Sequence, residues 1–440
     1  MRFFSIAASA LLAVNHAAAA TVKAPKAPLA IREAKMAPKF FIISMFTPEA
    51  DIWYEKLPDS GLGDLLAVNI STPGLSMLFP HIHCTEDFQI CQVTTGESEI
   101  NAAATITSVV LSDKFDLTST YFMIGGIAGV SPEWSTLGGV ALSRYAVQVA
   151  LQYEFDAREM PENYTTGYVG YGTLQPGIMP ETWYGTEVLE VNEDLRQIAY
   201  KLASKANLSD NAIAAEYRER YVAAGEVQVA ATLPPSVVLC DSATSDVYYS
   251  GKLLAEAFDN TTTLWTNGSG HYCMTAQEDN ATLEVLLRMA IEGLVDFSRI
   301  ILMRTGSDFD RPPPGTSAYD HLLINDQNGF EIAVENIYYA GVEIAKGILS
   351  DWNCTFKAGV KASNYIGDVF GSLGGEPDFG PGSITDGLAV LPDGKTGDLE
   401  TRDVEAATDV KGKRAAAIKR SKGLQRRRGL PVIKMRGPIA

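Results

Sequence analysis

Two stretches far apart in the chain share one design. Tyr121-Phe-Met-Ile-Gly-Gly-Ile-Ala-Gly-Val130 reads as a buried strand breaking into a glycine turn. The bare backbone at Gly125 and Gly126 would let a ligand approach closely. Arg299-Ile-Ile-Leu-Met-Arg-Thr-Gly-Ser-Asp308 reads as a second buried strand, this one ending in a carboxylic acid. If the two strands lie in one parallel sheet, their carboxyl ends share a crevice, the place where open α/β sheets hold ligands.

Lys39 to Ser44, Gly139 to Tyr145 and Ser236 to Cys240 are further strand candidates. Between them run helical patterns over Ser98 to Leu111, Glu278 to Val295 and Gly329 to Ser350. The first of these places Ile100, Ala103, Ala104, Thr107, Val110 and Leu111 on one face. Strands separated by helices predict an α/β fold: a single domain over 38–356, with a mostly parallel central sheet flanked by helices. Residues 158–185, rich in Pro, Gly and Tyr, interrupt that plan as a long surface loop.

The ends of the chain read differently. Arg2, the apolar run Phe3 to Val14 and Ala17-Ala-Ala-Ala20 form a secretory signal over 1–20. Residues 21–37, rich in Ala, Lys and Pro, read as a linker. Residues 357–440 read as a disordered tail, first Gly/Pro-rich and then basic. Dibasic pairs such as Lys413-Arg414 are expected protease sites or simply a solvated charged segment. Seven Asn-x-Ser/Thr sequons, at Asn69, Asn163, Asn207, Asn260, Asn267, Asn280 and Asn353, agree with a secreted or cell-surface protein. No later segment is an uninterrupted apolar run of spanning length. Five cysteines allow two disulfides with one left over; Cys84 and Cys91 suit a local clip, and the other pairings stay open.

Formal net charge is −17, and residues 411–440 hold eleven Lys and Arg with no acid. The body is therefore more acidic than the whole chain, which argues against nucleic acid as a partner. His81 and His83 alternate on one strand face without a third ligand, so no metal is expected, nor any cofactor.

Polar residues follow each strand candidate. Met45-Phe-Thr-Pro-Glu49 follows the first, the glycine turn the next, Asp241-Ser-Ala-Thr244 another, and Ser307-Asp308 the last. Together the glycine and Ser-Asp motifs resemble the nucleoside phosphorylase superfamily. Over most of the chain, about 38–356, the resemblance is to its fungal branch, the purine nucleoside permease family.

The resemblance implies roles. Asp308, preceded by Ser307 and by Arg304, would protonate N7 of a purine; a purine anion leaves poorly, so protonation lowers the barrier. An acid working near neutral pH needs a raised pKa, which burial supplies. The plainer alternative is that Asp308 caps the next turn. An acid at a helix start would bind the ribose hydroxyls. Register assigns this to Asp279, with Glu278 one residue away, although two acids there also suit the helix dipole. If Asp279 is in the site, Asn280 is unglycosylated. Glu49 stands where the superfamily's nucleosidases position the attacking water; otherwise it is an exposed loop acid. The phosphate-binding Arg and Ser of the phosphorylases fall at Ile124 and Ile127, which cannot hold a dianion. Asp241 and Thr244 would contact the purine. Tyr164, Tyr168 and Tyr171 would stack on it or pack on their own domain.

The expected function is a secreted purine nucleoside-binding protein that cleaves the N-glycosidic bond, hydrolysis favoured over phosphorolysis. The alternative is an uptake protein that captures nucleosides at the cell surface without chemistry. The superfamily resemblance also implies a homo-oligomer.

Overall fold

The computed structural model describes residues 34–380. The expected signal peptide, nearly all of the linker and the basic part of the tail lie outside the described residues. Among the described residues, 35–380 form one compact unit.

The architecture is α/β, built on a mixed sheet whose long central strands run parallel and whose edges are antiparallel. Phe40–Ser44 lies between Ile90–Thr94 and Tyr121–Val130, parallel to both. Ile300–Phe309 adds parallel to Tyr121–Val130. Alternation in these strands feeds two cores. Phe40, Ile42, Tyr121, Met123, Ile301 and Met303 face the helices Thr47–Lys56, Glu193–Ala203 and Phe330–Ser350. Phe41, Ile43, Phe122, Ile124, Ile300 and Leu302 face Glu99–Leu111 and Asp279–Ile291. Burial on both faces is why these strands read as continuous apolar runs.

Past this flat part the strands close on themselves. Ile300–Phe309 pairs antiparallel with Val140–Ser143, which bends at Arg144 into Tyr145–Gln148. A second bent strand, Val237–Leu239 then Asp241–Thr244, follows it in parallel. Tyr272–Ala276 pairs with Asp241–Thr244 and returns to Tyr121–Val130 through Met274 opposite Val130.

Several expectations are corrected. The glycine segment is no turn: Tyr121–Val130 is one ten-residue strand. Asp241–Thr244 is itself a strand, not the loop after one. The helix Glu99–Leu111 is rotated from its expected phase. It buries Ala102, Thr105, Ile106, Val109 and Val110, while Ile100 and Leu111 are 79% and 60% exposed. The small side chains at 102 and 105 let it approach its neighbours closely, which outweighs burying Ile100. Residues 357–380 are not a disordered tail: Gly367–Asp368 pairs with Leu189–Glu190, and Val369 and Phe379 are fully buried. Met36, at the end of the expected linker, bridges to Phe115.

Cys84–Cys91 forms the expected clip, and Cys240–Cys273 ties the second bend to the neighbouring strand. Cys354 is free and exposed. Asn280 is buried, its amide given to the carbonyls of Ala146 and Thr186, so the folded chain withholds that sequon.

Candidate functional site

Phe40–Ser44 pairs with Tyr121–Val130 only as far as Ile124. Beyond that residue the longer strand loses its neighbour on one side, and side chains satisfy its exposed backbone. The Ile127 N–H donates to Glu49 Oε1 at 2.8 Å and the Gly129 N–H to Thr275 Oγ1 at 2.8 Å. The Ile127 carbonyl accepts from Arg304 Nη1 at 3.1 Å. Three polar side chains are thus drawn to one short piece of backbone. The approach is close enough to need glycine at 126, where a Cβ would lie 2.6 Å from Glu49 Oε1 and 2.8 Å from Arg304 Nη1.

A cleft opens along this piece. It consists of two adjoining hollows of about 120 and 370 Å³, which share Phe46, Glu97, Ile127, Tyr248, Ser307 and Asp308. Glu49, Glu278 and Arg304 line the smaller one.

Glu49 sits in the first turn of the helix Thr47–Lys56, started by Pro48. Its other oxygen, Oε2, accepts from the Met45 N–H at 2.7 Å, and the residue is 1% exposed. Burial pushes its carboxyl up to about 8, against the pull of Arg304 and the two amides; Glu278 adds to the rise. Arg304 is fully enclosed. It pairs with Asp279 through Nε and Nη2, reaches Glu278 Oε2 at 3.1 Å, and gives Nη1 to the Ile127 carbonyl. One cation therefore faces three acids in a closed space, and a proton on Glu49 reduces the imbalance.

Asp308 lines both hollows. Its Oδ1 accepts from the Ser307 hydroxyl and its Oδ2 from the Tyr248 hydroxyl, each at 2.8 Å. Burial raises its carboxyl above the ordinary aspartate range, against those two donors. Its Oδ2 lies 3.6 Å from where a Cβ on Gly129 would stand.

The structure thus brings Glu49, Gly126, Glu278, Ser307 and Asp308 around one cleft, with Gly126 beneath its floor. It does not bring the other expected residues there. Gly125 faces Met303 and Ile337 in the core. Asp279 is spent on Arg304 inside the protein, and it is Glu278, also held by the Ser98 N–H at 2.9 Å, that lines the cleft. The expected order of these two acids is therefore reversed. Asp241 gives its carboxylate to the Arg144, Tyr145 and His271 amides, at 2.9, 2.9 and 2.8 Å. Thr244 is fully buried near the end of the second bent strand, away from the cleft lining. Tyr168 packs on Phe258, Tyr171 on Tyr153 and Tyr184, and Tyr164 on Phe155. Ile124 lies in the core, whereas Ile127 lines the cleft.

Sequence reasoning missed Tyr248, Phe46, Glu97 and Thr275. Tyr248 and Glu97 sit in irregular segments without periodicity. Phe46 lies inside the motif that pointed to Glu49, so its place was open to inference. Among the described residues, no group of His, Cys, Asp and Glu has the arrangement of a metal site.

Comparison with known proteins agrees with the resemblance. A family model described as purine nucleoside permease matches residues 37–361. A purine nucleoside permease of Candida albicans is 47% identical over 376 residues, 84% of this chain and 88% of that protein. A probable purine nucleoside permease of Schizosaccharomyces pombe is 37% identical over 80% of this chain and 99% of its own length. Among solved structures, a Neisseria meningitidis 5'-methylthioadenosine/S-adenosylhomocysteine nucleosidase aligns at 12% identity and a TM-score of 0.39, over 71% of this chain and 99% of that one. A futalosine hydrolase of Helicobacter pylori aligns at 13% identity and 0.40, over 71% and 98%. Superpositions that loose carry no residue roles across. The match over 37–361 and the fungal relatives together show that this chain belongs to the purine nucleoside permease family.

Proposed function

We propose that the protein binds purine nucleosides in this cleft and cleaves their N-glycosidic bond by hydrolysis, outside the cell or at its surface. Asp308 protonates the purine, Glu49 orients the attacking water, and Glu278 meets the ribose hydroxyls. The observation that carries this reading is the joint placement of Glu49 and Asp308 on one cleft. They flank Gly126 and Gly129, three residues or ~10 Å apart along an extended strand. That span suits a base at one end and a sugar at the other.

The choice of hydrolysis over phosphorolysis rests on charge. The one Lys or Arg lining either hollow is Arg304, whose donors are already committed to Asp279, Glu278 and a carbonyl. The lining acids offer a phosphate dianion no donor in place of a free cation, and any of them that is ionised repels it. A water molecule meets no such barrier. A carboxylate near the sugar also favours the positive charge that develops there in an oxocarbenium-like transition state.

Incubating the purified protein with adenosine, inosine and guanosine, with and without phosphate, tests the proposal. Free base released equally in both conditions is the expected result. Base released only with phosphate would replace hydrolysis by phosphorolysis. Nucleoside bound without product would favour the second reading, capture for uptake. One observation supports that second reading: both Glu49 oxygens already accept backbone amides. No helix among the described residues is long and apolar enough to cross a membrane.

A further inference from the structure

Among the described residues, Tyr248 is the one whose side chain hydrogen-bonds the proposed acid from outside its own strand. It lies in the irregular segment after Asp241–Thr244, is 58% exposed, and lines both hollows. Its phenol reaches in to Asp308 Oδ2 at 2.8 Å. We propose that Tyr248 is a positioning and gating residue: its hydroxyl occupies the proton-donating oxygen of Asp308 until a purine displaces it. The proposal rests on the role given above to Asp308.

The argument is one of hydrogen-bond capacity. An ionised carboxylate only accepts, and Ser307 and Tyr248 supply one donor to each of its oxygens. Ser307 can adapt to protonation. Its hydroxyl also lies 3.1 Å from the Ala128 carbonyl, so it can turn its single proton there. The Tyr248 hydroxyl has no second protein acceptor among the described residues. While the phenol donates, it favours the ionised, accepting form of Oδ2; a proton there requires the phenol to turn and accept instead. When the phenol leaves, the carboxylate loses a stabilising donor and takes up a proton from solvent, becoming the acid that the base requires. Displacement thus clears the space and loads the proton together.

The other groups around Asp308 bear on its titration. Asp310, just past the end of the same strand, raises its carboxyl further, and His321 on the Ala318–Leu323 helix lowers it. Tyr217 and Tyr221 lie near enough to feel its charge. Glu49, Glu97, Glu278 and Arg304 face the same cleft. His321 is held between the Tyr217 hydroxyl and the Phe309 carbonyl, so it has no ring nitrogen left for Asp308. Tyr248 is accordingly the adjustable partner.

The test compares wild type with Tyr248→Phe, which keeps the aromatic ring. Calorimetry of inosine binding between pH 5 and 8, with Glu49→Gln carried in both proteins so that inosine is bound but not cleaved, and in buffers of different ionisation enthalpy, reads both affinity and protons exchanged. Loss of a hydrogen bond to a charged group predicts binding about tenfold tighter in the variant. Net proton uptake on binding should be smaller in the variant than in wild type. The pH dependence of cleavage should move to higher pH, since Asp308 keeps its proton longer. Unchanged affinity, proton uptake and pH profile would overturn the gate. Asp308→Asn separates the two claims. If it alters binding or turnover while Tyr248→Phe alters nothing, the gate is wrong and the acid stands. If Asp308→Asn also changes nothing, the acid itself is wrong.

Discussion

Asp241 and Asp308 each stand at an irregular point of the closed strand system, yet their surroundings differ in kind. Asp241 sits where two paired strands bend, and three backbone amides converge on its carboxylate. It replaces ladder hydrogen bonds that the bends break. Asp308 follows a register shift after Gly306, but its partners are two hydroxyls and it borders open space. Amide donors are fixed by the fold, whereas hydroxyls can rotate away. An acid held by amides alone is part of the framework, and one held by hydroxyls at a hollow is free to exchange a proton.

The contrast can be broken most sharply by exchanging charge at the two positions. Asp308→Asn should cut cleavage about 10²–10⁴-fold, the usual worth of a general acid, with little change in melting temperature. Asp241→Asn should do the opposite. It places an N–H₂ group against amide donors, costing about 1–3 kcal/mol of stability, while turnover per folded molecule persists. Steady-state rates and denaturant unfolding on both variants check this. Loss of turnover at full stability in Asp241→Asn would erase the distinction.

Arg304 should behave as framework despite lining the cleft. Arg304→Met leaves Glu278 and Asp279 without their cation, which for a buried pair costs about 3–5 kcal/mol in urea unfolding. A second change, Asp279→Leu, should recover part of that loss. Recovery of nothing would mean that the arginine acts elsewhere.

Glu49 lies between the two kinds, held by amides but facing the cleft. Its carboxyl, raised from 4.5 to about 8, binds a proton in the folded chain that the unfolded chain has released. Stability from this group is therefore complete below about pH 4.5 and declines as pH rises toward and through 8. The slope is about 1.4 kcal/mol per pH unit inside that window. Glu49→Gln should remove this contribution to the slope and also abolish hydrolysis, while nucleoside binding is retained. An unchanged slope in thermal unfolding from pH 5 to 8 would show Glu49 to be ionised throughout.

The smallest effect is expected in the 158–185 segment. Tyr164→Ala should leave inosine affinity within about twofold, because the ring packs on Phe155 and not on the cleft. A larger change in calorimetry would bring this loop into the site.

The parts of this arrangement that were legible in the chain are those with local causes. Phe40–Ser44 and Ile300–Phe309 carry apolar runs long enough to identify a doubly covered strand, and Ser307-Asp308 carried its motif. The continuation of Tyr121–Val130 through three glycines was not legible, since glycine ordinarily weakens a strand. It persists because Glu49, Thr275 and Arg304 bond to its backbone, and Ser307 reaches the Ala128 carbonyl. Those contacts arise only after distant segments meet. The order of Glu278 and Asp279 turned on one residue of register, set by which acid Arg304 encloses. Tyr248 lies in a segment with no periodicity, so only its contact with Asp308 reveals it.

A structure of the Glu49→Gln variant with inosine bound would test the central claim most directly. The account predicts the purine between the two hollows, with N7 within hydrogen-bond distance of Asp308, the ribose beside Glu278, and the Tyr248 hydroxyl displaced. A nucleoside seated elsewhere, or one in this cleft with Asp308 still bonded to Tyr248 and remote from the base, would contradict it.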